Sequence, residues 1–214
     1  MIKISKTSKL GCRSWSLQAL DTCPASIDFI TGKFVPACQG CYATEGNYRF
    51  ANVREAREHN KQDWKRTGWV VDMVTLLDAD RYFRWFDSGD MYSIGLAKKI
   101  LEVMKLTPWT RHWMPTRMHK FAKFKKVISE MNTLDNVVVR LSSDSVTGGI
   151  IDGETTSTIV PTSYAPTTAF ICRAYDNGGK CGTCRSCWDK DTAVIAYVAH
   201  GQKMKQVLSH EITK

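Results

Sequence analysis

The chain has 214 residues, 43% of them hydrophobic, and carries 30 Lys and Arg against 21 Asp and Glu for a formal charge of +9. That length supports one large domain or two small ones with a real core. No stretch approaches the roughly 20 apolar residues of a membrane span, and the opening MIKISKTSKLGC has no secretory apolar run, so no membrane partner is expected and the cytoplasm is the expected compartment.

Residues 1–50 are rich in cysteine, glycine, proline and hydroxyls, and read as loops organised around something other than an apolar core. Residues 51–66, dense in charge and without a helix breaker, read as a solvated helix, with Gly68 as its stop. Residues 81–86 are aromatic and strand-like, and 93–104 place Ile94, Ala97, Ile100, Leu101 and Met104 at helical spacing. A strand is expected at 111–116, a helix at 121–131, and the clearest strand at 136–141 (NVVVRL), where three valines favour a pleated, buried backbone. Phe170 and residues 194–198 suggest two more strands. Residues 145–168 and 175–191 carry no helical pattern, so the first is expected to be loop or hairpin and the second a cysteine loop. Strand centres recur at the spacing of strand–helix–strand units, which predicts an α/β fold with a parallel sheet, open or partly closed as a barrel. The expected organisation is a single domain over 1–214, with a cysteine-rich segment at 1–50, a regular core at 68–144 and terminal strands with a cysteine insertion at 168–200.

Eight cysteines fall in two groups of four, Cys12, Cys23, Cys38 and Cys41 near one end and Cys172, Cys181, Cys184 and Cys187 near the other. Clustering with two-residue gaps, in a chain expected where thiols stay reduced, indicates metal ligation and not disulfides. The CxxCxxC run at 181–187 suits three irons of a cubane cluster, whereas structural zinc more often pairs two separate CxxC hooks. The first four cysteines can form one four-thiolate site, or three can bind while the fourth serves elsewhere, leaving one iron open. One or two iron–sulfur clusters of the 4Fe-4S kind are therefore the leading expectation and zinc the alternative. Either could be a structural staple.

Asp87, Ser88, Gly89 and Asp90 end a predicted strand, where parallel sheets bind ligands. Arg117, Arg140 and Asp144 end two others and His200 the last, so a polar mouth is expected facing a metal loop. The net charge suits an anionic partner, whether nucleic acid, a nucleotide or a phosphorylated substrate. Metal-bound thiolates would cancel part of that charge, and basic residues concentrate only at 54–66 and 111–126. No HExxH, Walker loop or dinucleotide fingerprint is present. The seven tryptophans are expected in the core.

SKTSKLGC, TCP, CQGCYATEGNYRFANVREAREHN, RWFDSGDMYS and RLSSDS, with the terminal cysteine run, resemble the bacteriophage gene product 88 family over most of the chain. The resemblance brings no settled activity and implies the cytoplasm of a bacterial host. CxxCYA also looks like the cluster motif of radical S-adenosylmethionine enzymes. That likeness implies a partial (β/α) barrel, a 4Fe-4S cluster held in part by Cys38 and Cys41 with Tyr42 beside them, and S-adenosylmethionine at an open iron with its amino group received near Asp87 to Asp90. The first cysteine of that motif would stand at position 34, which is Phe34, so Cys23 or Cys12 would have to replace it. Two functions are carried forward: an iron–sulfur redox enzyme, or a zinc-stapled non-enzymatic protein that binds nucleic acid or a host protein. Salt-sensitive retention on DNA or RNA would mark the second.

Overall fold

The computed structural model describes residues 1–165 and 167–212; Pro166, Thr213 and Lys214, within the expected 1–214 domain, lie outside the described residues. Two short strands, β1 (Ser5–Lys6) and β2 (Arg13–Trp15), precede a cysteine-rich segment with one helical turn, α1 (Pro36–Gln39). Helices α2 (Ala51–Asp63) and α3 (Trp69–Leu76) lead into β3 (Tyr82–Trp85), α4 (Ile94–Leu106), β4 (Arg111–Thr116), α5 (Ala122–Asn132) and β5 (Val137–Ser142). The chain then forms β6 (Thr156–Val160), β7 (Phe170–Ile171), β8 (Val194–Val198) and α6 (Gln202–Ile212).

All eight strands belong to one sheet, in the order β1-β2-β3-β4-β5-β6-β8-β7, and only the β1–β2 pair is antiparallel. Parallel neighbours follow chain order from β2 to β6, so right-handed crossovers step in one direction and place their helices on one face. The two edges, β1 and β7, do not pair, and the sheet is open.

Alternation along the strands then sorts the two faces. Phe83, Trp85, Met114, Val137, Val139 and Leu141 point at α3, α4 and α5 and join one buried core with Trp69, Met73, Ile100, Met104, Phe124 and Met131. Burial of each such side chain is worth about 1.5–3 kcal/mol. One polar group sits in this layer. His112 is fully buried, accepts from Trp85 Nε1 at 3.2 Å on Nδ1 and meets Thr107 Oγ1 at 2.9 Å through Nε2. Thr107 already donates to Val103 O, so the imidazole proton resides on Nε2.

Several expectations are corrected. Residues 145–168 contain β6, an interior strand hydrogen-bonded between β5 and β8, in which Thr156, Ser157 and Thr158 are β-branched or small and buried. Gly68 does not stop a helix; it precedes α3, whose apolar run (VVDMVTL) buries Trp69 and Met73. The segment 1–50 is not wholly loop. β2 pairs in parallel with β3, and Trp15 and Leu17 are fully buried in the main core. A terminal helix, α6, was not expected at all. Five of the tryptophans (15, 69, 85, 113 and 188) are buried, while Trp109 is 40% exposed in the turn between α4 and β4. Among the described residues no helix is long and apolar enough to cross a membrane.

Candidate functional site

The sheet face opposite α3, α4 and α5 lines a cavity of about 700 Å³. Arg84, Trp113, Pro115, Ser142, Ser157, Ile159 and Tyr197 form its floor, and the carboxyl-end turns of the strands form its rim. Asp87, Ser88, Gly89, Asp90, Arg117 and His200 all line it. So do Cys23, Cys38 and Cys41 at one side and Cys172, Cys181 and Cys187 at the other. Cysteines from the two ends of the chain thus line one cavity.

The turn after β3 is tied down by strain and hydrogen bonds together. Phe86 adopts φ +56°, a conformation aromatic residues rarely take. Its N–H donates to Trp15 O at 2.8 Å, Leu17 N–H donates to Ser88 O at 3.0 Å, and Ser88 Oγ donates to Leu17 O at 2.6 Å. Gly89 follows at φ +79°, where a Cβ would lie 2.6 Å from Leu17 Cβ and 2.7 Å from Thr22 Oγ1. Only glycine fits. This clamp fixes the stretch that delivers Cys23.

Cys23 is carried to the CxxC loop by a closed excursion. Ser26 N–H returns to Cys23 O at 2.9 Å, Asp28 O accepts from Gly32, and Val35 N–H donates to Ser26 O at 2.9 Å, so the chain doubles back before Pro36 opens α1. Cys23 consequently lies within electrostatic reach of Cys38 and Cys41. Arg117 stands beside Cys38 and Lys203 beside Cys41, and both favour negative charge on those sulfurs. Gly40, between them, is covered by α6: a Cβ there would lie 2.7 Å from Met204 Cε and 2.8 Å from Met204 Cα.

Cys12 does not join this trio. It packs with Cys172 and Cys181 against a second buried cluster of Leu10, Trp113, Cys187, Trp188 and Ile195. Cys172 lies within electrostatic reach of Cys181 and Cys187, and Cys181 of Cys184. Cys181 N–H donates to Lys9 O at 2.8 Å, which pins the terminal loop to the strand connection that carries Cys12. The structure thus divides the cysteines into three and five.

All eight thiols are free. Burial pushes the Cys12 and Cys187 thiols up to about 11 and raises Cys23, Cys38, Cys41 and Cys181 as well. A nucleophilic or thiol-exchange cysteine requires the opposite shift. Among the described residues no three His, Cys, Asp or Glu side chains gather closely enough to hold a metal ion.

The expected polar residues take different parts. The Asp87 carboxylate accepts from Arg84 Nη1 at 2.7 Å and from Tyr48 OH at 2.6 Å. Asp90 is buried and accepts from Thr116 Oγ1 at 2.7 Å, Met91 N at 2.8 Å and Arg117 N at 2.9 Å, which locks the β3 turn to the β4 turn. Asp144 lies behind the rim, bridging Arg117 Nε at 3.1 Å and Lys120 Nζ at 2.5 Å. Arg140 is a correction: it lines no part of the cavity. It is fully buried, and its guanidinium donates to the carbonyls of Ser186, Cys187, Asp189 and Thr192, fastening the terminal cysteine loop onto β5.

Sequence reasoning missed Arg57, Arg84, Tyr48 and Tyr197. A signal for Arg84 existed, since an arginine between Phe83 and Trp85 in a strand must face away from the core those two enter. Arg84 lies over the Trp113 ring at 4.6 Å and donates to Tyr42 OH at 3.2 Å. No such signal marked Arg57 on a helix that reads as solvated.

A family model described as gene product 88 matches residues 2–206. No curated protein and no solved structure matches the chain.

Proposed function

We propose, from the premise that the chain belongs to the bacteriophage gene product 88 family, that it is an iron–sulfur protein whose cavity holds a cluster beside a substrate-sized space. The observation that carries this reading is the placement of cysteines from both ends of the chain around one cavity, three on one side and three on the other. Thiolates on a cubane each bind a different iron, so they stand farther apart than the ligands of a single tetrahedral ion. Cys23, Cys38 and Cys41 are the ligands of the proposed mouth cluster, with Cys23 taking the place that Phe34 does not fill. Cys12, Cys172, Cys181, Cys184 and Cys187 supply ligands for a second.

Three ligands at the mouth would leave one iron without a protein ligand, and the cluster would supply one-electron chemistry and a coordination site there. This chain's own residues do the rest. Arg117 and Lys203 offset thiolate charge, the Asp87–Asp90 turn shapes the wall, and Arg84 presents an unpaired Nε–H at the floor. The radical-enzyme likeness, with a partial barrel and S-adenosylmethionine at the open iron, rests on the CQGCYA and SGD elements and on the singly wound order of the parallel strands. Equilibrium dialysis with S-adenosylmethionine tests that part separately.

The deciding experiment is metal and acid-labile sulfide analysis of protein prepared without oxygen. Brown protein with bound iron and sulfide is expected. Colourless protein carrying stoichiometric zinc would replace this function with a zinc-stapled binding protein, and protein with neither metal would remove both.

A further inference from the structure

Helix α2 differs from the other helices in what it buries. Its only buried residues are Arg57 and Asn60. Asn60 has a structural explanation: its amide donates to Lys3 O at 2.8 Å and Ser16 O at 3.2 Å and accepts from Lys3 N at 3.0 Å, so it holds the N-terminal segment in place. Arg57 has none. It is 6% exposed, lines the cavity, and has an Nη1 buried without a hydrogen-bond partner. Its guanidinium lies 4.7 Å from the Tyr48 ring centroid. The carboxylate within its electrostatic reach, Asp87, is already committed to Arg84 and to the Tyr48 hydroxyl.

Arg84 also keeps a buried Nε without a partner. Two guanidinium groups therefore share one carboxylate in a wall away from bulk water. Tyr42 and Tyr48 add no charge, because burial raises both phenols and holds them protonated. A buried charge without a partner is costly, and a bound anion would offset that cost. The planar fork of arginine matches the paired oxygens of carboxylate and phosphoryl groups.

We infer that Arg57, together with Arg84, forms an oxyanion subsite in the cavity wall that takes the carboxylate or phosphoryl group of a small-molecule ligand. This goes beyond the cluster assignment and stands without it, since neither arginine is a proposed metal ligand.

The test titrates full-length protein and its Arg57→Leu and Arg57→Lys variants with inorganic pyrophosphate in one arm and succinate in the other. Binding is read by calorimetry, melting temperature by circular dichroism, and iron content on the same samples. Wild type is expected to bind one of the two saturably, and that arm identifies the group as phosphoryl or carboxylate. Arg57→Leu should weaken that binding at least tenfold without lowering the melting temperature, and Arg57→Lys, which keeps the charge but loses the fork, should fall between. Should Arg57→Leu fail to fold, the Lys variant alone decides: affinity within twofold of wild type would overturn the subsite. No saturable binding of either anion by wild type, or equal binding by the Leu variant, would overturn it too. Iron lost from wild type with anion binding intact would count against the cluster and leave the subsite standing.

Discussion

The two cysteine groups are built by opposite means. The mouth group sits where packing is tight: a strained Phe86, a Gly89 with no room for a methyl, and a Gly40 pressed against Met204. The terminal group rides on an open loop, where a Cβ at Gly178 or Gly179 would meet nothing within 4 Å. Besides the one backbone bond from Cys181 to Lys9, its position depends on a buried guanidinium, Arg140, and on Trp188, whose indole donates to Phe83 O at 3.0 Å. The mouth is held by backbone shape and the loop by side-chain anchors. A change of backbone should therefore injure the first, and loss of a single side chain the second.

The largest expected effect tests the division itself. Cys38→Ala or Cys23→Ala should remove the iron and sulfide of the mouth and leave that of the terminal loop, while Cys12→Ala combined with Cys181→Ala, which leaves only three of the five terminal thiols, should do the reverse. Iron analysis with visible spectra on the three variants would show it, and a double variant that loses the same absorbance as Cys38→Ala would break the division. Next in size, Arg140→Met leaves several buried carbonyls without a donor and should lower stability by at least about 3 kcal/mol. In chemical denaturation the terminal site should be lost before the mouth.

The glycines give a smaller and sharper contrast. Gly89→Ala combines a left-handed backbone with a clash and should cost on the order of 3 kcal/mol. Gly178→Ala, left-handed at φ +59° but in open space, should cost only about 1 kcal/mol. Equal costs in urea melts would mean the loop is as constrained as the mouth.

The helix-facing core beneath the cavity floor supplies the last prediction. Burial pulls the His112 imidazole down to about 3 from its ordinary value of 6.5. A folded value below the unfolded one means that the unfolded chain takes up the proton first. Stability is thus full above 6.5 and should fall by about 1.4 kcal/mol per pH unit beneath it. Urea melts from pH 8 to pH 4 should show this limb in wild type and a flatter one in His112→Leu.

Legibility followed range of interaction. The strands at 111–116 and 194–198 were predicted with the boundaries they have, because β-branched and aromatic runs carry a local signal. Strand β6 was missed because TSTIV, set among glycines, threonines and prolines, looks like loop until β5 and β8 cover it. The SGD turn and CxxC loop were readable as rim elements. Arg140 was misplaced since an arginine at the end of a strand reads the same whether it faces water or a ring of carbonyls.

By itself the sequence determined the alternation of strands and helices, the set of eight sulfurs and the polar strand ends, all of which follow from residue chemistry and short-range spacing. Tertiary structure alone decided which sulfurs are neighbours. Cys12 and Cys23 stand eleven positions apart in the chain, yet β2 and the clamp to the β3 turn separate them into different groups. It also decided that Arg57 is buried, because burial depends on what the rest of the chain places over a helix that would be solvated on its own.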